Sequence, residues 1–121
     1  MDERQALDAL GALSQETRLR IVRRLVQAGP DGMAAGAIGE AVGASSASVA
    51  SFHLAHLERA GLIQSRRAAR SIIYSAAFDG LSGLIGFLMA DCCGGRPEVC
   101  APVLAALTPC CPAPEVSREH A

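Results

Sequence analysis

Three cysteines lie close together in the stretch ADCCGGRPEVC, which covers residues 90–100. Two of them, Cys92 and Cys93, are adjacent, and Cys100 follows after a pair of glycines and a proline. Thiols at this spacing suit small packing residues, a redox pair, or ligands for a soft ion, because thiolates select soft ions. The pair Gly94 and Gly95 can adopt positive φ and reverse the chain, so a closed three-thiol chelate is sterically feasible.

The composition limits where such thiols would act. The chain has 121 residues, which fits one domain with its own core. It begins with MDERQALDAL, which lacks the apolar region of a secretory signal, and its apolar run GLSGLIGFLMA is far shorter than the ~20 residues of a membrane helix. We therefore expect a cytoplasmic protein without a membrane partner. In a reducing compartment its cysteines should be free thiols or ligands.

Basic charge is concentrated in one part of a nearly neutral chain. The formal net charge is -1, and every basic residue is arginine. Residues 59–78 contain four arginines and no acidic residue. A locally basic strip on a neutral protein can bind a polyanion.

The first half of the chain predicts helices. Leu7, Leu10 and Leu13 form one stripe, Ser14 can cap the next helix, and Gly43 can turn the chain between two further helices. A short helix followed by a longer one across a glycine turn is typical of a helix-turn-helix. The predicted helices cover residues 4–12, 15–28, part of 31–45, and a segment from Ser45 or Ser46 to Gly61. On the last of these, four residues at helical spacing form the predicted buried face: Ala47, Ala50, Leu54 and Leu57.

A hairpin follows the longer helix. Residues 62–66 and 71–76 have strand composition and flank a basic turn, and a last helix is predicted over 79–91. The predicted fold is mainly α with a β-hairpin wing, that is, a winged helix-turn-helix. We predict a DNA-binding domain at 1–92 and a Cys/Pro-rich tail at 93–121, which is loop or partly disordered and can include a short helical turn near 103–107.

The predicted DNA contacts lie on the longer helix and the wing. Serines near the start of that helix can approach phosphate, Phe52 can contact a thymine methyl group, and wing arginines can contact phosphate or the minor groove. The alternatives are packing of Phe52 against the wing and a solvated arginine turn. We expect His53 to be a core-edge residue and the arginines of the second helix to be surface or ion-paired charges. The predicted contacts are Ser46, Ser48, Ser51, Phe52, Arg66, Arg67 and Arg70.

Three segments, in this order, resemble the ArsR/SmtB family of metal-sensing repressors. They are LSQETRLRIVRRLV, SFHLAHLERAGLI and RRAARSIIYSA, and the resemblance covers about residues 5–92. It implies a homodimeric winged-helix repressor of double-stranded operator DNA, with the first and last helices at the dimer interface. Residues 1–92 would then be the dimerisation domain as well as the DNA-binding domain. It implies no enzymatic activity.

The chain departs from two metal sites of that family. The stretch AAGAIGEAV carries no cysteine, and the last helix DGLSGLIGFLMAD carries no histidine. The cysteine cluster resembles the form CCGxxPExC found in members that respond to trivalent arsenic. Trivalent arsenic or antimony takes three thiolates in a pyramid, so the predicted inducer site is Cys92, Cys93 and Cys100. Structural zinc prefers four ligands in spaced pairs and fits adjacent cysteines less well.

Other functions stay open at this point. Two thiols would suffice for a sensor of methylated arsenite, and another thiophilic metal or disulfide formation could also act through the cluster. Outside the sensors, a thiol enzyme such as an arsenate reductase would need a phosphate-binding loop, which the sequence lacks, and a winged-helix module could bind a protein partner. The second pair, Cys110 and Cys111, lies between prolines in the tail and is left out of the predicted site.

Overall fold

A computed structural model describes residues 1–90 and 97–107. These residues fall into two compact units that divide after Phe87. The predicted domain boundary at 92/93 lies outside the described residues. Among the helices described, each is too short or too polar to cross a lipid bilayer. The elements in chain order are α1 (Glu3–Leu13), α2 (Glu16–Ala28), a 3-10 turn (Gly29–Asp31), β1 (Met33–Ala34), α3 (Ala35–Val42), α4 (Ala47–Arg59), β2 (Ile63–Ala68), β3 (Ser71–Ala76), α5 (Phe78–Met89) and α6 (Pro97–Leu107).

The helix ends follow from local hydrogen bonds. Asp2 and Gln5 form a capping box at the start of α1, with Gln5 N–H donating to Asp2 Oδ1 at 2.8 Å. Ser14 does not cap α2 as predicted. Its hydroxyl donates back to the Gly11 carbonyl at 2.8 Å, and the Gln15 side chain caps α2 instead by accepting from the Arg18 N–H.

The core is formed by residues from α1 to α5 and from the sheet. Its largest fully buried side chains are aliphatic: Ile21, Leu25, Ile38, Leu54, Leu57, Leu62 and Ile63. On α1 the structure buries the alanine stripe Ala6, Ala9 and Ala12, whereas Leu7 and Leu10 are 52% and 41% exposed. The small alanines let α1 approach the core closely, and the leucines remain on its outer side.

The wing is part of a three-stranded antiparallel sheet in the order β1-β3-β2. The short strand β1, which the sequence placed within a helix, pairs Met33 with Tyr74. Gly32 precedes it with φ of 71°, and a Cβ there would collide with the Tyr74 carbonyl oxygen, so this approach requires glycine.

The tail contains more regular structure than predicted. The sequence favoured loop with one helical turn, but α6 runs over 11 residues. Pro97 occupies its first position, where the missing N–H would have no helical partner and costs nothing.

Candidate nucleic-acid interface

The helix-turn-helix is formed by α3 and α4. Gly43 ends α3 in the left-handed region, with φ of 70° and ψ of 37°, and turns the chain toward α4. Ser46 is the N-cap of α4, and its hydroxyl oxygen accepts from the Val49 N–H at 3.1 Å. Of the two serines that the sequence allowed as caps, the structure selects Ser46.

The buried and exposed faces of α4 are sharply separated. The face toward the core consists of Ala50, His53, Leu54 and Leu57. Ser48, Ser51 and Phe52 are exposed on the other side. The prediction that Ala47 belongs to the buried face is wrong: Ala47 is exposed, because the first turn of α4 projects past the core and lines a surface cleft with α3.

Three predicted contact residues, all serines, thus lie at the amino-terminal half of α4. The cap uses a lone pair of the Ser46 hydroxyl, and the hydroxyl hydrogen remains able to donate. Backbone N–H groups at a helix start lack intrahelical partners and carry partial positive charge. This edge can donate hydrogen bonds to phosphate, and the hydroxyls of Ser48 and Ser51 can donate to or accept from base edges.

Phe52 is an exposed aromatic side chain at the centre of the outer face of α4. It is 62% exposed. Its ring forms T-shaped pairs with two histidines, with ring centroids 5.5 Å from that of His53 and 6.4 Å from that of His56. It is not packed away, so it can offer an apolar surface to a ligand.

The three predicted wing arginines do not all lie on the same side of the wing. Arg66 and Arg67 are neighbours in β2, and successive strand residues point to opposite faces. Arg66 Nη2 donates to the Asp31 carbonyl oxygen at 3.1 Å, which holds it toward the 3-10 turn. Arg67 shares the face of Ser65, which lies against α4. Arg70 lies in the two-residue turn beside Ala69, whose φ is 56°.

The wing is fixed to the end of α4 by a polar contact that the sequence did not reveal. Ser65 Oγ donates to Glu58 Oε2 at 2.8 Å. Across the hairpin, Ser65 pairs with Tyr74, and the pKa of the Tyr74 hydroxyl is raised by burial and by the nearby Glu58 carboxylate. These contacts set the position of the wing relative to α4.

Arg18 was expected to be a surface or ion-paired charge, and that expectation is wrong. Its side chain is half-buried, with Nε donating to the Ala12 carbonyl at 2.7 Å and Nη1 lying 3.2 Å from His53 Nδ1. His53 is 9% exposed, which confirms its core-edge position. Arg20 does form the expected kind of ion pair, with Glu16 at 2.6 Å.

The histidines on α4 have altered titration. Burial, then the charge of Arg18, then His56 lower the pKa of His53. The pKa of His56 is lowered by burial and by the positive charges of Arg18 and Arg59. Both rings therefore resist protonation more than a free histidine does.

The predicted metalloid site is outside what the structure describes. Cys92 and Cys93 lie in 91–96, and of Cys100 only the backbone is described, within α6. Among the described side chains, no three His, Cys, Asp or Glu groups converge to hold a metal ion. The ligand set Cys92, Cys93 and Cys100 therefore stays a prediction.

Comparison with known proteins agrees with this geometry. Residues 13–66 match the family model described as a helix-turn-helix domain. A search of functionally curated proteins finds no match.

Solved structures with this fold include several bacterial proteins. A predicted DNA-binding transcriptional regulator from E. coli is 38% identical, covering 70% of this chain and 86% of its own, with a TM-score of 0.55. NolR from Sinorhizobium fredii is 35% identical, covering 71% and 82%, with a TM-score of 0.57. The homodimeric winged helix-turn-helix DNA-binding domain of Mb0332 from Mycobacterium bovis, a possible ArsR-family regulator, is 27% identical, covering 75% and 89%, with a TM-score of 0.57.

Proposed function

This chain belongs to the ArsR family of winged helix-turn-helix, DNA-binding transcriptional regulators, and we propose that it is a repressor released from operator DNA by trivalent arsenic or antimony. Its family and fold are those of regulators and not of enzymes. The observation that carries the DNA-binding part of the proposal is the outer face of α4, where Ser48, Ser51 and Phe52 are exposed together beside an arginine-rich wing. The metalloid part rests on the spacing of the cysteines in the sequence.

In this proposal α4 enters the major groove. Ser48 and Ser51 then face base edges, and the exposed ring of Phe52 contacts a thymine methyl group. Ser46 and the free amides of the first turn contact phosphate and fix the register. Arg67 and Arg70 on the wing, with Arg66 beside the 3-10 turn, contact phosphate or the minor groove.

A second copy of the chain supplies the other half of the operator contact. Apolar side chains are exposed on two helices. On α1, Leu7 and Leu10 are 52% and 41% exposed, and on α5, Ile85 and Phe87 are 49% and 39% exposed. Apolar surface of this kind favours association. A twofold dimer through these helices presents two copies of α4 to half-sites about 34–36 Å apart on one side of the duplex.

The proposed inducer site uses Cys92, Cys93 and Cys100. Arsenous acid exchanges its three hydroxyl groups for three thiolate sulfurs, and the three thiol protons leave with them as three water molecules. The oxidation state of arsenic does not change. Because Cys92 follows the end of α5 closely in sequence, closing the chelate reorganises the dimer helix, and DNA binding weakens. By linkage, DNA weakens arsenic binding by the same factor.

The test starts from a duplex that the wild-type protein selects from a random library. Arsenite is titrated into the complex while fluorescence anisotropy follows DNA release, and native mass spectrometry counts the bound arsenic. Each of Cys92→Ser, Cys93→Ser and Cys100→Ser is expected to abolish release. The matched control Cys110→Ser with Cys111→Ser is expected to respond like the wild type.

The other outcomes identify the alternatives. Response that persists in Cys100→Ser, with a methylated arsenite as the better inducer, indicates a two-thiol site. Release by an oxidant alone indicates disulfide sensing. A wild-type complex that stays bound at saturating arsenite contradicts the metalloid part of the proposal.

A further inference from the structure

One arginine side chain links two helices with different proposed tasks. Arg18 Nε donates to the Ala12 carbonyl oxygen at 2.7 Å, in the last turn of α1. Its Nη1 lies 3.2 Å from His53 Nδ1, in the middle of α4. Its backbone N–H donates to Gln15 Oε1 at 2.9 Å, which anchors it at the start of α2. A single guanidinium therefore connects the proposed dimer helix to the DNA-contacting helix.

The contact with His53 requires a neutral imidazole. A guanidinium carries only donors and stays charged at every relevant pH. His53 Nδ1 must therefore offer its lone pair, and the ring proton must lie on Nε2. A protonated His53 would present a second positive donor to Arg18 in a position that is only 9% exposed. The contact then becomes repulsive.

Among the residues that the structure describes, few carboxylates are placed to offset that charge. From α2 the group facing His53 is Arg18, and on α4 itself it is His56. Asp8 of α1 lines a cleft of about 410 Å³ with His56 and Arg59, a turn beyond His53. Glu40 of α3 lines the cleft at the opposite end of α4. Toward the wing, the carboxylate Glu58 is already bound by Ser65 of β2.

We propose that Arg18 is a positioning residue for DNA binding, and that its contact with His53 is a latch that holds α4 against the end of α1 and opens when His53 is protonated. Phe52 is the neighbour of His53 and touches its ring, so a shift of His53 moves an exposed residue of the proposed DNA surface. The inference rests on the proposed function, and it adds that acid regulates DNA binding. Burial and the Arg18 charge lower the pKa of His53, so the latch stays closed near neutral pH.

The latch predicts that DNA affinity changes with pH in the direction opposite to that expected for a histidine in direct contact with DNA. A histidine that simply faced DNA would gain positive charge as the pH falls, and affinity would rise. An opened latch lowers affinity as the pH falls. The direction of the pH profile therefore separates a positioning role from a direct contact.

The experiment measures the dissociation constant by anisotropy, at constant salt, from about pH 7.5 to about pH 5.5, the range in which histidine titrates. The probe is a duplex selected from a random library by the wild-type protein. We expect wild-type affinity to fall about fivefold toward low pH, the lower end of typical couplings. His53→Asn keeps an oxygen that can accept from Arg18 and does not titrate, so its profile should be flat. Circular dichroism at each pH confirms that the proteins are folded.

Two further variants complete the test. His56→Asn is the matched control, one turn further along α4 without the Arg18 hydrogen bond, and should keep the fall in affinity at low pH. Arg18→Gln should bind weakly at neutral pH and show little further change on acidification. An affinity that rises or stays constant in the wild type, or an equal fall in His53→Asn, overturns the latch. Failure to select any duplex overturns the proposed function and the latch with it.

Discussion

The guanidinium of Arg66 is hydrogen-bonded to the backbone carbonyl of Asp31, with Nη2 and the oxygen 3.1 Å apart. This contact joins the wing strand β2 to the 3-10 turn, 35 residues earlier in the chain. Arg66 is thereby distinguished from its neighbour Arg67, on the opposite face of the strand. The wing arginines should therefore differ in what their removal costs.

Removing wing arginines should change the salt dependence of DNA binding. Arg67→Ala and Arg70→Ala are each expected to lower the slope of log affinity against log salt by about one, the effect of one lost phosphate contact. Arg66→Ala should in addition lower the free energy of unfolding by about 0.5 kcal/mol, because an exposed hydrogen bond is lost. Arg23→Ala on α2 carries the same charge change away from the wing. An equal slope change in that control would contradict the wing contact.

Phe52→Ala separates DNA binding from stability. The ring is 62% exposed, so the free energy of unfolding should change by less than about 0.5 kcal/mol. Affinity for a selected duplex should fall about tenfold, with most of the loss at sites that carry a thymine methyl group. Leu19→Ala removes another exposed apolar side chain, 45% exposed on α2, and should leave affinity unchanged. Unchanged binding by Phe52→Ala would place this ring outside the interface.

Stability should fall with acid below the ordinary pKa of histidine. The pKa of His53 is lowered in the folded state, so between that value and the ordinary histidine value of 6.5 the unfolded chain binds more protons. The free energy of unfolding therefore rises with pH across this window. The contribution of His53 to stability is lost as the pH falls through the same window. Urea midpoints above and below the window measure this difference. His53→Asn should reduce this pH-dependent difference in stability more than His56→Asn does. An unchanged difference in His53→Asn would contradict the assignment of the effect to His53.

Two glycines on α5 should respond oppositely to alanine. A Cβ at Gly80 would collide with the carbonyl oxygen of Gly61, two residues after α4, so Gly80→Ala should lower the free energy of unfolding by about 1–3 kcal/mol. At Gly86 nothing lies within 4 Å of an added Cβ. Gly86→Ala should therefore stabilise the helix by about 0.5–1 kcal/mol. Thermal melting of both variants checks the pair, and equal effects would contradict the close α4–α5 approach.

The proposed dimer predicts the behaviour of an exposed leucine. Leu10→Asp on the outer side of α1 should shift the protein to monomers in sedimentation equilibrium and weaken operator binding, because one half-site contact is lost. Leu19→Asp, at a similarly exposed position on α2, is the control and should stay dimeric. A Leu10→Asp protein that sediments as a dimer would place the interface elsewhere.

The sequence by itself determined the elements of the winged helix-turn-helix and the outer face of α4. Helical periodicity and glycine stops are local signals, and they correctly placed Leu54 and Leu57 inside and Ser48, Ser51 and Phe52 outside. The hairpin was likewise visible in the β-branched run at 71–76. For the thiol cluster, the prediction still rests on residue type, on spacing and on the resemblance to family members with the same cysteine pattern.

Tertiary structure alone decided the rest, because those features depend on residues distant in sequence. The two-residue strand β1 has no periodicity of its own and exists because Met33 meets Tyr74. On α1 both the leucine and the alanine stripes have helical spacing, and only packing selects the alanines for the core. Arg18 looks like any helix-surface arginine until folding brings His53, 35 residues away, within 3.2 Å of it.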